Sequence, residues 1–303
     1  MKIIHHITFL CICSLAGCAG RAPEACPLAF RQSPRETLAS AAHADEGPAS
    51  LDDRRLNERI CAEGVRLMQA GQTVKSTALI AQLDKPSCRL KLAASANQAI
   101  SPQDLYTRVK SGVLVIAGIF KCPKCGNWHA ACASGFAIAS SGAIITSYHV
   151  LNAPDRETIV AMTADGKVLP VKSVLAASKT DDVAILRVDA ADLSPLALAA
   201  APVGSRIHVI SHPDNHFYML TDGMIARYHN ALPPGRPSMR MDITADYAKG
   251  SSGGPVFDSY GSVVGLVAAT NWIYADETNG HQHLQMVIHE CIPAAAVLKL
   301  IEQ

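Results

Sequence analysis

The sequence predicts an all-β fold: two packed six-stranded antiparallel β-barrels, with a C-terminal helix and a small helical N-terminal extension. Three observations predict it. From residue 112 onward the chain turns to short β-branched runs punctuated by Gly, Pro, Asn and Asp, the pattern of many short strands joined by tight turns. Twelve such runs occur, and they divide into two sets of six. With 49% hydrophobic and only 17% charged residues in a chain of 303, a sizeable core can be buried and disorder is excluded.

Each segment follows in order. Residues 1–17 form a signal segment: Lys2 supplies a positive start, and Ile7 to Ala16 an apolar stretch ending in small residues. Leu15-Ala16-Gly17-Cys18 resembles the lipobox of bacterial lipoproteins. The resemblance implies cleavage before Cys18, lipidation of that residue and stable anchoring by several acyl chains. Ala19 at the next position points to the outer membrane, so the expected location is the periplasmic face of a bacterial envelope. Residues 18–50, rich in Pro, Ser and Ala, read as a tether. Residues 51–105 form the helical extension. One helix is expected over 51–70, with Leu56, Ile60, Val65, Leu67 and Met68 as its apolar stripe, and Gly71 ending it. A second starts at Ser101-Pro102 and runs through Val109.

Strands are expected near 113–120, 134–139, 143–147, 158–163, 168–174 and 183–188. The second set lies near 206–210, 218–227, 239–243, 255–257, 263–269 and 284–288. Pro293 to Glu302 reads as the terminal helix, with Val297, Leu298 and Ile301 on one face.

Composition narrows the function. A net charge of +1 supplies no basic field, so nucleic acid is not an expected partner. Aromatics at 5% are too sparse for a stacking platform. After residue 17 no apolar run reaches the ~18–20 residues that span a bilayer.

Three stretches carry chemistry. Lys249-Gly250-Ser251-Ser252-Gly253-Gly254-Pro255 is a Gly-flanked Ser turn, which can expose a hydroxyl beside converging backbone N–H groups. Ala143 to Val150 delivers His149 at a strand end, and Asp181-Asp182 precedes the strand Val183 to Leu186. Each alone is ordinary turn or surface chemistry. In the order His, Asp, Ser, each at a strand edge, they resemble the trypsin-like serine peptidases of the chymotrypsin fold, in their bacterial HtrA/Deg branch. Ala133-Ser134-Gly135-Phe136, Gly204-Ser205-Arg206-Ile207 and Ser211-His212-Pro213 match as well. The resemblance spans about 106–303, the expected peptidase domain.

It implies that Ser252 attacks the scissile carbonyl, that His149 relays the proton, and that Asp182 orients the imidazole. Ser251 and Asp181 are the rivals one position away. The N–H groups of Gly250 and Ser252, with Ser251 between them, form the implied oxyanion hole. Asp246 falls at the base of the implied pocket, favouring Arg or Lys; an aliphatic pocket is the other implied reading. Tyr247, Ala248, Ala268, Ala269 and Thr270 line it. No C-terminal PDZ domain of the kind many relatives carry is expected after the second barrel of this sequence.

Seven cysteines follow Cys18: Cys26, Cys61, Cys88, Cys122, Cys125, Cys132 and Cys291. Cys122, Cys125, His129 and Cys132 fall in one hairpin and suit a closed structural zinc site. A disulfide in an oxidising compartment and free thiols are the competing readings. Cys61 with Cys88 is the preferred disulfide. The hydrolysis itself requires no cofactor. The sequence therefore describes a membrane-anchored serine endopeptidase acting on exported proteins or peptides. The reading from another class is a catalytically silent trypsin-fold lipoprotein that binds peptides or scaffolds.

Overall fold

The computed structural model describes residues 50–231, 238–276 and 282–302. The expected signal segment, Cys18, Cys26 and the expected tether up to residue 49 lie outside the described residues.

Helix α1 (Asp53–Gln69) is capped by the Asp52 carboxylate, which accepts the Arg55 N–H at 2.9 Å. It buries Ile60, Gly64 and Leu67. A Cβ on Gly64 would meet Ile119 Cγ1 at 2.7 Å, so the glycine sets how closely the helix lies on the strands. Helix α2 (Ser76–Ile80) buries Leu79, and the short strand β1 (Cys88–Arg89) follows. Helix α3 (Pro102–Val109) has Pro in its first turn and Ser101 as its cap, and buries Leu105 and Val109.

Six strands then close a barrel: β2 (Val113–Lys121), β3 (Trp128–Ala139), β4 (Ala143–Ser147), β5 (Thr158–Met162), β6 (Val168–Ser178) and β7 (Val183–Val188). Their spatial order is β2-β3-β4-β7-β6-β5. One helical turn, α4 (Tyr148–Leu151), interrupts them after β4. The next six are β8 (Arg206–Ser211), β9 (Met219–Ala231), β10 (Ser238–Ile243), β11 (Pro255–Asp258), β12 (Val263–Asp276) and β13 (Gln282–Pro293). They close a ring in the order β10-β13-β12-β11-β8-β9. Strands β12 and β13 stay paired as far as Asp276 with Gln282, whereas β10 meets β13 only at Met241 to Ile243. The far part is thus a two-stranded ribbon outside the ring. Helix α5 (Ala294–Leu298) and strand β14 (Ile301–Glu302) finish the chain.

The fold class expected from sequence needs correcting: the molecule is not all-β. Ile60 of α1 and Leu105 and Val109 of α3 belong to the same buried cluster as Phe136, Ile145, Ile210, Phe257 and Ile292 of the strands. Helices therefore complete a core shared by both strand sets. The terminal helix also stops early. Ile301 pairs in parallel with Cys88, whose N–H donates to Leu300 O at 2.8 Å, and that pairing ends the helix before residue 301. Among the described residues no helix is long and apolar enough to cross a membrane.

Candidate active site

Strand register brings His149 to Asp182. β4 pairs antiparallel with β7, with Ser147 opposite Val183. The residues just past that pair are therefore neighbours. Tyr148 N–H donates to Asp182 O at 3.0 Å, and His149 N–H to Asp182 Oδ1 at 2.9 Å. The ring nitrogen His149 Nδ1 lies 2.8 Å from Asp182 Oδ2. A carboxylate can only accept, so Nδ1 carries the proton and Nε2 keeps its lone pair. Asp182 holds this geometry at φ +61°, a left-handed conformation that Asp tolerates better than most residues. The hydrogen bond to Asp182 raises the His149 pKa above its ordinary value; burial opposes the rise and the carboxylate charge adds to it.

The Ser loop is held from three sides. Ser134 N–H, on β3, donates to Ser252 O at 3.0 Å, and Ser134 Oγ to Gly250 O at 2.9 Å. Gly253 N–H donates to Val267 O on β12 at 2.8 Å. Asp214 N–H donates to Lys249 O at 2.7 Å. Two glycines are needed here. Gly250 sits at φ +91°, and a Cβ would meet His212 O at 2.6 Å. Gly253 sits at φ +81°, where a Cβ would meet Ser134 O and Thr146 Oγ1 at 2.5 Å and Ser147 N at 2.8 Å. The end of β4, which leads into His149, thus packs on the residue next to Ser252.

Ser251 is fully buried, its Oγ accepting from Ser211 Oγ at 2.9 Å. Asp181 is buried too, and accepts from Ser178 Oγ at 3.1 Å and Ser238 Oγ at 2.8 Å. Both rivals are occupied away from His149. Ser251 N–H donates to Ala248 O at 3.0 Å, whereas no hydrogen bond among the described residues uses the N–H of Gly250 or Ser252. No hydrogen bond joins Ser252 Oγ to His149 among the described residues. In unliganded sites such bonds are often long and tighten only with substrate.

Ser252 borders a cavity of about 650 Å³ whose walls include Asp246, Tyr247, Ala248, Ala268, Ala269 and Thr270. Asp246, however, is not at its base: its side chain is 89% exposed and 3.8 Å from His289 Nε2 at the rim. Its loop alternates, burying Ala245 and Tyr247 while turning Asp246 outward. The Tyr247 hydroxyl bridges the two strands beneath, 2.8 Å from Ala269 O and 2.7 Å from Glu290 O. Val287, His289 and Trp272 are wall residues the sequence reading missed. A legible signal existed, since His289 occupies the inward position of the alternating run Val287, His289, Cys291.

The cysteine expectations change. Cys122, Cys125 and His129 bring their ligand atoms within 4.8 Å of one another, without Cys132. Cys132 Sγ instead faces Asn57 Oδ1 of α1 at 3.6 Å. His129 and Cys132 are three apart on one strand and so point to opposite faces. Burial, with Cys61 adding to it, pushes the Cys132 thiol up to about 12. All six described cysteines are free, which corrects the Cys61–Cys88 disulfide. Cys88 is taken into β1 beside β14, while Cys61 lies on α1 near Cys132.

Residues 133–266 match the family model described as a trypsin-like peptidase domain. A probable periplasmic serine endoprotease, DegP-like, of Halomonas elongata is 36% identical over 138 residues, covering 44% of this chain and 28% of its own. The Pseudomonas fluorescens protein of the same description is 31% identical over the same shares. The chain thus spans little more than a quarter of the length of these curated relatives. Among solved structures, the HtrA-type protease AlgW with tripeptide superposes with a TM-score of 0.52 at 19% identity, over 66% of this chain and 62% of that one. That likeness concerns the fold. Residues 133–266 are thus similar to a trypsin-like peptidase domain, related to that of the DegP-like proteins.

Proposed function

We propose that the protein is a serine endopeptidase of the bacterial envelope that cleaves exported proteins or peptides through an acyl-enzyme. Ser252 is the nucleophile, and His149 takes its proton and returns it to the leaving amine. Asp182 fixes the tautomer and stabilises the imidazolium. The unpaired N–H groups of Gly250 and Ser252 receive the oxyanion, a contribution of about 3–4 kcal/mol per donor. The observation that carries this reading is the 2.8 Å contact of His149 Nδ1 with Asp182 Oδ2, set across a packed junction from a Ser loop with two free backbone donors.

The pocket beside Ser252 is walled by Val267, Ala268, Ala269 and Val287. With Asp246 out in solvent, small apolar side chains suit it better than Arg or Lys. Lipidation at Cys18 would tether the enzyme to the outer membrane, and the DegP-like relatives described as periplasmic favour the same compartment. The triad requires no cofactor.

The missing Ser252–His149 hydrogen bond favours a second reading, a silent peptide-binding scaffold. A fluorophosphonate probe separates the two. Labelling of the folded wild type that Ser252→Ala abolishes and Ser251→Ala retains fits the enzyme; an unlabelled folded wild type fits the scaffold.

A further inference from the structure

The hairpin joining β2 to β3 carries chemistry that the hydrolysis does not use. Cys122-Pro123-Lys124-Cys125-Gly126 folds back on itself: Gly126 N–H donates to Cys122 O at 2.9 Å, and Cys122 N–H to Asn127 O at 2.8 Å. The turn brings the Cys122 and Cys125 sulfurs together at the hairpin tip. Gly126 closes the turn at φ +72°. The cross-strand pair of Phe120 with His129 then lays the imidazole over the loop. Cys125 Sγ lies 3.1 Å from His129 Nε2, and all three ligand atoms fall within 4.8 Å of one another. Around a tetrahedral zinc, with bonds of about 2.0–2.3 Å, neighbouring ligand atoms are about 3.6–3.8 Å apart. The three atoms need only small rotations to reach that spacing.

We propose that Cys122, Cys125 and His129 form a three-ligand zinc site at the hairpin tip, with the fourth tetrahedral position open to solvent. Two thiolates and a neutral imidazole balance the charge of Zn²⁺, and their softness selects it over Mg²⁺ or Ca²⁺. Cys132 cannot close the site, because it faces α1 from the other side of the strand. Cys125 is exposed, so a water or a donor from another molecule has access to the fourth position. The other three-residue group among the described residues, His229, Asp242 and Glu290, is different. There Arg227 pairs with Asp242 at 2.5 Å and Arg240 with Glu290 at 3.2 Å. Guanidinium groups already supply the positive charge that a metal would bring.

The test is a cobalt titration of the full chain, reduced and stripped with a chelator. The site should take up one equivalent of Co²⁺, giving thiolate-to-cobalt charge-transfer absorption and the visible bands of tetrahedral cobalt, both erased by Zn²⁺. Cys122→Ser, Cys125→Ser and His129→Ala should each abolish stoichiometric uptake; Cys132→Ser should retain it. Circular dichroism verifies that each variant is folded. Without any variant, added Zn²⁺ should shield Cys122 and Cys125 from iodoacetamide while Cys61 and Cys88 stay as reactive as in the stripped chain. Three results would overturn the proposal: no cobalt uptake by the fully reduced chain, loss of the bands in folded Cys132→Ser, or a Cys122–Cys125 disulfide in protein isolated without reductant.

Discussion

Two imidazoles lie on or just beyond adjoining strands of the first barrel, and their neighbours set them to different work. His149, just past β4, has Nδ1 2.8 Å from a carboxylate; His129, near the start of β3, has Nε2 3.1 Å from a thiol. A carboxylate fixes a proton on one nitrogen and raises the basicity of the other. Thiols beside an imidazole offer a second soft ligand to a metal. The sites also differ in how they are built. His149 and Asp182 are 33 residues apart and meet only because β4 and β7 are registered in a closed barrel. The hairpin group lies within one turn and its flanking strands, and depends on local turn chemistry alone. A long-range site should therefore respond sharply to changes in register or loop backbone, and a local one to changes of its own ligands.

The largest expected effect tests the long-range site. Ser252→Ala should lower kcat on the order of 10⁶-fold, with unchanged circular dichroism. Ser251→Ala, one residue away and already hydrogen-bonded to Ser211, should stay within about tenfold of wild type. A reversal of that ranking would move the nucleophile to Ser251. Next comes Asp182→Asn, expected to cost about 10⁴-fold in kcat, because Asn can stabilise the wrong imidazole tautomer. The same change has a pH signature. The active form carries neutral His149, so kcat/KM should rise with pH through the histidine pKa, which the Asp182 hydrogen bond holds above its usual value. Removing the carboxylate leaves burial as the remaining influence, so the acidic limb should move to lower pH. A pH–rate profile of the two proteins checks it, and an unmoved midpoint would mean that Asp182 does not act on the ring.

Gly253→Ala carries an intermediate expectation. Its φ of +81° and the 2.5 Å approach to Ser134 O leave no room for a methyl. The loop should shift, costing about 1–3 kcal/mol of stability in a denaturant melt. Activity should fall about 10²-fold through displacement of Ser252 from the β4 end. If activity survives intact, the contact between the Ser loop and β4 does not position the nucleophile.

The same contrast explains what was legible in the sequence. Strands β4 and β7 match the residues expected because β-branched runs there end abruptly at Gly142, Asp182 and the turn after Val188. α3 was readable from Ser101-Pro102 alone. The lower half of β3 was not, since Trp128 to Ala133 is a run of Ala, Cys and His with little strand character and gains its structure from pairing with β2. The ribbon beyond residue 269 was missed for a similar reason: Asn271 to Asp276 is mixed in polarity, and β13 supplies the pairing. Helices α1 and α3 were visible as helices, but their share of the core was not, because Ile60 and Val109 find their partners only in three dimensions. Among the candidate site residues, His149, Asp182 and Ser252 were chosen from motif order, and strand register brings the first two within 2.8 Å. Cys132 was placed with the wrong group because spacing along the chain ignores which face of a strand a residue occupies.

Asp246 poses the same problem inside the cleft, and gives the smallest expected effect. Counting along the chain puts a carboxylate under the pocket, whereas the fold turns it 89% into solvent beside His289. An exposed charge is screened and contributes little to holding a cation. Asp246→Ala should therefore change the ratio of kcat/KM between Arg or Lys and Ala at the cleaved residue by less than about fivefold. Ala269→Phe, which fills the wall opposite, should instead reduce cleavage after every large side chain. A profile on a peptide library reads both. Loss of a strong Arg and Lys preference in Asp246→Ala would mean that the loop turns inward when substrate binds, and that the gapless count had the right residue after all.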